Sequence, residues 1–403
     1  MEEWKEYKLG DVCDTISDTY KGEANEVVLI NTSDVLEGKC LNHSKTPNKD
    51  LKGQFKKTFK RDDILYSEIR PANKRFAYID FDPVDYIAST KLMVIRHRDN
   101  ITPLYLYYIL KSSSVIEELQ MLAESRSGTF PQITFSELSK LEIKLPPIVE
   151  QERILGILSS LDDKIELNRK INANLEAQAQ ALFKSWFVDF EPFRDGEFVE
   201  SELGRIPKGW KVGTLFDVAE ILDKYRKPLS GKDRESMDKI YPYYGATSCM
   251  DYVDNYIFDG IYTLIGEDGS VVKENGLPYM QYVWGKLWVN NHAHILQGKN
   301  DFSTEMIHVM LSITNIQHLV TGAVQAKLSQ ANMQKIPVTV PPKDVINKIR
   351  TLIDKLYQKR RYLEDESSRL ASLRDTLLPR LMSGELKVND INNMSSMKSN
   401  AEQ

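Results

Sequence analysis

The feature that most limits how this chain can fold is an internal duplication with a period near half its 403 residues. Trp4-x4-Leu9-x-Asp11-Val12 returns as Trp210-x4-Leu215-x-Asp217-Val218, at an offset of 206. Asp63-Ile64-Leu65-Tyr66 loosely matches Gly260-Ile261-Tyr262-Thr263 at an offset of 197. Ile87–Ile95 aligns with Trp288–Leu296 at 201, and both runs read as strands, β-rich and partly alternating. Each leads into a helical stretch in which Leu106, Ile109 and Leu110 fall on Ile307, Met310 and Leu311. Ser127-Gly128 then meets Thr321-Gly322, and Leu145-Pro146-Pro147 meets Val340-Pro341-Pro342. The order is kept while the offsets drift, as small loop insertions would make them. A repeat of this length calls for two similar domains rather than one large core.

A long helical pattern follows each Pro-Pro pair, where proline suits a helix start. Ile154, Leu161, Asn168, Leu175 and Leu182 are spaced by seven in the first. Ile349, Leu356, Leu363, Leu370 and Leu377 repeat that spacing in the second, all at an offset of 195. A sustained seven-residue repeat is the seam of a coiled coil. Ile157, Leu158 and Ile171 widen the first stripe, as Leu352, Ile353 and Leu373 widen the second. The alternative is two surface helices, each packed on its own domain; the matching phase and length favour helix-on-helix pairing. Asn168 stands where the second copy has Leu363, so the seam holds either a register-fixing polar residue or a solvated gap. The first helix should run from about Ile148 to about Val188, roughly 60 Å at 1.5 Å per residue.

The expected fold class is α+β, with two similar α/β recognition domains separated by an antiparallel pair of long helices in a pseudo-two-fold repeat. The first domain is placed at 1–147, the first helix at 148–190 and a linker at 191–209. The second domain is placed at 210–342, the second helix at 343–388, stopping near Pro379 or Ser383-Gly384, and a disordered tail at 389–403.

Catalytic motifs are scarce. Gly231-Lys232 is followed by Asp233 and lacks the upstream glycine of a phosphate loop. No Gly-x-Gly-x-x-Gly turn occurs, nor the Asn/Asp-Pro-Pro-Phe/Tyr tetrapeptide with which many amino-methyltransferases hold a base. Catalytic, cofactor and metal residues are therefore expected to be none. Glu-x-Lys triplets occur at Glu3–Lys5, Glu142–Lys144 and Glu385–Lys387, but charged residues are abundant enough to produce them by chance. His292 and His294 would share a strand face, a spacing that can hold zinc. With no nearby cysteine or carboxylate at ligand spacing, a structural or DNA-facing role fits better. Three widely separated cysteines, Cys13, Cys40 and Cys249, suit a reducing cytoplasm. The acidic N-terminus has no secretory core, and no apolar run reaches the roughly 18 residues that span a bilayer, so a cytoplasmic location without membrane partners is expected.

What remains is binding. Net charge is −5, so nucleic-acid affinity has to come from local charge. Lys39 to Arg75 holds 11 Lys/Arg against 4 Asp/Glu, and Lys224 to Lys239 holds 6 against 3. Lys56, Lys57, Lys60 and Arg61 alternate with Phe55 and Phe59; Arg70, Lys74 and Arg75 flank Pro71; Tyr225, Arg226 and Lys227 sit in an early loop of the second copy. These are the candidate DNA contacts, since lysine and arginine meet phosphates and bidentate arginine also reads guanine. The ten seam positions are the candidate helix-pair interface.

At this point the chain resembles the specificity subunits of type I restriction–modification systems. Leu145-Pro146-Pro147-Ile148-Val149-Glu150-Gln151 is similar to the family's Leu-Pro-Pro-x-x-Glu-Gln helix start. Leu203–Trp210 is similar to its Leu-Gly-x-Ile-Pro-x-Gly-Trp opening of the second domain, and Trp288–His294 to a recurrent strand of that domain. The resemblance reaches to about residue 388; the second helix departs from it, with Lys343-Asp344-Val345-Ile346 where Glu-Gln would fall. It implies a subunit without catalysis or cofactor of its own. Each half would read one part of a split double-stranded DNA target. The paired helices would space the halves and dock two methyltransferase subunits. The complex would use S-adenosylmethionine, ATP and Mg2+ through partners, including two optional restriction subunits. Two other readings stay open: an orphan sequence-specific DNA-binding protein, and a degenerate metal-dependent nuclease at Glu142/Lys144.

Overall fold

The structure, a computed structural model, describes residues 4–49, 51, 53–125, 131–322 and 325–390. Glu3, Ser127-Gly128 and the tail beyond Asp390 lie outside the described residues. Two compact units form, Met1–Ile165 with Ser367–Gln403, and Glu166–Glu366. Both divisions fall inside the long helices, Ile148–Phe187 and Lys343–Met382. Each unit takes one globular part and a stretch of both helices.

In the first unit a four-stranded sheet runs in the order Cys13–Ile16, Leu92–His97, Ile64–Ser67, Phe76–Tyr78. Its central strand reads as a continuous apolar run because both faces are covered. Met93 and Ile95 face one core with Ile64, Tyr66 and the helix Pro103–Leu110, while Leu92 and Val94 face a second core with Leu65, Val28 and Ile30. That split follows from the two-residue period of a strand. The second core lies against another four-stranded sheet, Lys45–Pro47, Glu26–Ile30, Tyr86–Ser89, Phe55–Lys57.

The second unit repeats this with a six-stranded sheet ordered Ala219–Ile221, Ala293–Gly298, Phe258–Gly266, Met280–Val289, Tyr241–Tyr244, Cys249–Val253. Its ladders match those of the first unit pair by pair. Cys13↔His97 is answered by Ala219↔Gly298, Leu65↔Val94 by Leu264↔Ile295, and Lys5↔Leu145 by Lys211↔Val340. Two details of the sequence alignment are corrected. Ile64–Ser67 corresponds to Thr263–Gly266, two residues beyond the match read from sequence; a slip of two keeps every side chain on its face, so hydrophobic pattern could not detect it. Ile87–Ile95 is two strands, broken at Thr90-Lys91, and Trp288–Leu296 breaks likewise at Asn290–His292.

The helix starts explain one motif. Gln151 is fully buried; its Nε2 donates to the carbonyls of Pro146 at 3.0 Å and Asn100 at 3.3 Å, and its Oε1 accepts from the Thr102 N–H at 3.0 Å. It latches the helix start to the loop before Pro103–Leu110. The second copy places Ile346 there, buried in that unit's apolar core, so packing replaces the polar latch.

The helix ends fall close to the stops read from sequence. The first stops at Phe187 rather than 190, where Phe190 turns left-handed (φ +51) and packs with Phe187 and Phe193 around Trp210. Within the linker, Phe198–Ser201 pairs with Gly204–Pro207 in a hairpin. The second helix passes through Pro379 and ends at Met382, just before Ser383-Gly384. Proline there forgoes one amide hydrogen bond in the last turn and is tolerated. Gly384 ends it at φ +76, a left-handed conformation that favours glycine, and a Cβ there would lie 3.1 Å from the Trp4 ring, a tight contact.

The long helices pair antiparallel. In the second unit Asn168 Nδ2 donates to Glu366 at 2.7 Å, Asn172 Nδ2 donates to Glu364 at 3.1 Å, and Arg360 meets Glu176 at 3.6 Å. The seam is uneven. Ile154, Asn168, Ile349 and Leu363 are buried, whereas Leu161, Leu175, Leu182, Leu356, Leu370 and Leu377 are half-buried. Toward their ends the helices sink into the domains, through Ile154, Leu158 and Leu381 in the first unit and Phe183, Ile349 and Ile353 in the second. The two packing alternatives are therefore not exclusive.

In the first unit, Asp162 on the first helix accepts from Tyr108 Oη at 2.5 Å, Lys111 Nζ at 2.9 Å and Arg374 Nη1 of the second helix at 2.6 Å. Burial alone would raise the Asp162 carboxyl, but Lys111 and the three hydrogen bonds hold it below the usual range. Removing one partner of such a set leaves charges buried without compensation. Asp162→Ala is expected to cost about 3 kcal/mol. Urea denaturation reads this; a loss below about 1 kcal/mol would class the network with solvent-screened surface pairs.

Candidate DNA interface

Most of the cations proposed from sequence stand on the sheets and turns of the first unit, and the structure divides them. Lys56 and Lys60 are exposed and have no ion-pair partner among the described residues. Arg70 is also exposed and unpaired among the described residues, and its backbone is left-handed at φ +45. Lys74, at φ +51, closes the same Pro71–Asn73 turn and lies 3.5 Å from Glu37. Two non-glycine residues held in this region mark a turn whose conformation its surroundings impose. Arg61 is exposed but bonds Asp82 at 3.3 Å and the Asp80 carbonyl.

Two further cations of this unit are held by backbone carbonyls. Lys57 turns inward and donates to the carbonyls of Leu92 at 2.8 Å and Thr90 at 3.1 Å; burial pulls its ammonium below the ordinary lysine value. Arg75 donates to the carbonyls of Ser33 at 3.1 Å and Val35 at 3.4 Å and is half-buried. Both side chains tie neighbouring backbone segments together.

In the second unit Arg226 is held by internal carboxylates. Only 13% of its side chain is exposed, and it meets Glu267 at 2.7 Å, Asp223 at 3.4 Å and the Ala293 carbonyl at 2.8 Å. Beside it Tyr225 is 52% exposed, and Lys224 and Lys227 are exposed. The residues that fix this loop were not singled out in the sequence. Asp223 is buried and accepts from His294 Nδ1 at 2.6 Å, Gln330 Nε2 at 2.7 Å and the Ile295 N–H at 2.9 Å. The only available clue was His294, and it was weighed as half of a zinc pair. His292 and His294 do not share an environment: the strand begins at Ala293, so His292 lies in the exposed turn against Asp268, while His294 is 1% exposed.

Asp223, Glu267 and His294 bring ligand atoms within 4.8 Å of one another. The cluster reads as an ion-pair network. His294 Nε2 lies 2.7 Å from the Leu328 carbonyl, which can only accept, so that nitrogen carries hydrogen. Arg226 already supplies the cation to both carboxylates, and Lys327 lies 3.5 Å from Glu267.

Burial alone would push the His294 proton off, but the hydrogen bond and charge of Asp223 outweigh it and raise its pKa above the ordinary 6.5. Burial alone would raise the Asp223 carboxyl, yet His294 and the Ile295 N–H hold it below its ordinary value of 3.8. A raised folded pKa contributes stability that is complete below the unfolded value and disappears as pH rises through the folded one. Wild-type stability should therefore fall between about pH 6.5 and His294's raised pKa, while His294→Gln lacks this slope. Parallel urea-unfolding curves from pH 6 to 9 would contradict it.

Glu142 and Lys144, the nuclease alternative, lie exposed on the two-stranded ladder with Lys5–Lys8, and Lys144 pairs with Glu6 at 3.4 Å. No helix among the described residues is long and apolar enough to cross a membrane.

Comparison with known proteins agrees with this organisation. The family model "Type I restriction modification DNA specificity domain" matches residues 1–177 and 207–369. The HindI specificity subunit of Haemophilus influenzae is 33% identical, covering 96% of this chain and 100% of that protein. The MjaIX specificity subunit of Methanocaldococcus jannaschii is 29% identical over 77% of each chain. Among solved structures, the S subunit of a type I system from M. genitalium shares the fold at a TM-score of 0.54, with 19% identity over 94% of this chain and 96% of that one. A family model that matches in two blocks, one on each side of the linker, fits the paired ladders of the two units. The chain belongs to the type I restriction–modification DNA specificity family and is the specificity subunit of such a system, whose catalytic activities are in partner subunits.

Proposed function

We propose that each globular domain reads one half of a two-part DNA target, and that the paired helices set the distance between halves and dock two methyltransferase subunits. Those partners supply S-adenosylmethionine chemistry on adenine; two motor-nuclease subunits that use ATP and Mg2+ complete a restricting complex. The observation that carries this reading is the ladder-by-ladder repetition of one recognition fold on sequences that differ in their exposed loops. A shared frame with different side chains suits two unlike half-sites. Lys56, Lys60, Arg61, Arg70 and Lys74 are the phosphate contacts assigned to the first domain, and Tyr225 and Lys227 are contacts of the second. The seam positions serve the helix pair.

The test is reconstitution. The isolated chain should retard duplex DNA yet transfer no methyl group from S-adenosylmethionine. Adding the methyltransferase subunits should produce adenine methylation at a split sequence. Methyl transfer by the chain alone would overturn the assignment.

A further inference from the structure

The loop Asp223–Leu229 is fastened to the second domain along its whole length. The Leu222 N–H donates to Ile295 at 2.9 Å, and Asp223 takes the three hydrogen bonds described above. Trp288 Nε1 donates to the Lys227 carbonyl at 2.6 Å, and the Leu229 N–H donates to Tyr243 Oη at 3.0 Å. Residues 223–225 form a 3-10 turn, in which side chains three apart eclipse. Asp223 and Arg226 therefore both point inward to the ion-pair network, which leaves Lys224 and Tyr225 outside. The Lys224 ammonium lies over the Tyr225 ring, 4.8 Å from its centroid. Lys224 and Lys227 have no carboxylate partner among the described residues.

We propose that Tyr225 is a base-contacting side chain of the second domain, set against the DNA by its anchored loop between two phosphate-contacting lysines. This rests on the reading of the chain as a two-part DNA reader. A half-exposed aromatic ring on a backbone immobilised from within is pre-organised for a surface that takes up an aromatic face. The lysines on either side select a polyanion. A ring in that setting stacks on or wedges against a base step. At an offset of 206 the first domain has Asp18, Thr19, Tyr20 and Lys21, and Tyr20 Oη is bonded to Asp85 at 2.6 Å. The device therefore belongs to one half, and its effect should be confined to one half-site.

The experiment maps methylated sites made by the complex with its methyltransferase subunits. Tyr225→Ala should lose roughly 10-fold or more of its discrimination at one or two adjacent base pairs of one half-site, leaving the other half unchanged. Tyr225→Phe, which keeps the ring, should retain the wild-type pattern. Lys224→Gln with Lys227→Gln should weaken binding to all sequences and flatten the salt slope by about two units. An unaltered pattern for Tyr225→Ala would overturn the proposal. So would a lowered melting temperature with uniform loss at both half-sites, which would make the ring a structural residue. If exchanging residues 210–342 changed neither half-site, the two-part reading itself would fail; if that exchange moved one half-site and Tyr225→Ala did not, this assignment alone would fall.

Discussion

Inserting seven residues into each long helix, after Asn168 and after Leu363, is expected to lengthen the unspecified spacer of the DNA target by about three base pairs while leaving both half-sites as they were. Seven residues are two helical turns, so the seam register is preserved. The added rise is about 10 Å, and a base step is about 3.4 Å. Duplicating Arg169–Leu175 and Glu364–Leu370 is the best form of the insert. In the antiparallel pair Asn172 faces Glu364, and Asn168 reaches both Glu366 and the Leu363 carbonyl. The duplicated heptads carry Asn172 and Glu364, so that polar pair recurs within the insert. The twist between half-sites also changes, and affinity should fall with it. Methylation-site sequencing reads the spacer. Retained activity at the original spacing would mean that the helices do not set the distance.

The duplication, the long helices and their pairing were legible in the sequence because each rests on a period. Strand faces repeat every two residues and helix seams every seven, and both survive divergence. The places where the sequence misled are those where several structures share one period. The two-residue slip of Ile64–Ser67 leaves all faces intact. The break at Thr90-Lys91 interrupts an apolar run whose halves sit in different sheets. Helix residues such as Ile154 and Ile349 obey the seven-residue repeat although their burial comes from a domain core.

The candidate interface was less legible for a different reason. Charge type is written in the sequence, but its destination is not. Lys57, Arg75 and Arg226 look the same in sequence as Lys56, Arg70 and Lys227, yet the first three are taken up by backbone carbonyls or internal carboxylates. The Asp162 network joins residues more than 200 positions apart, and no local pattern announces it.

Replacing residues 1–145 with the matching domain of a relative is expected to change one half of the DNA target completely and leave the other untouched. The junction falls after the closing strand Glu142–Leu145, before the helix start. The donor has to keep a tyrosine and a lysine where Tyr108 and Lys111 stand, because both bind Asp162 on the retained helix. It also has to pack against Ile154, Leu158, Leu378 and Leu381, which remain behind. With those met, the second unit keeps its own core and its anchored loop. The deciding measurement is genome-wide mapping of methylated adenines made by the exchanged subunit with its methyltransferase partners. One replaced half-site beside one unchanged half-site is the result expected of two independent readers on a common frame. A target altered in both halves would show that the domains do not read independently, and would contradict the account.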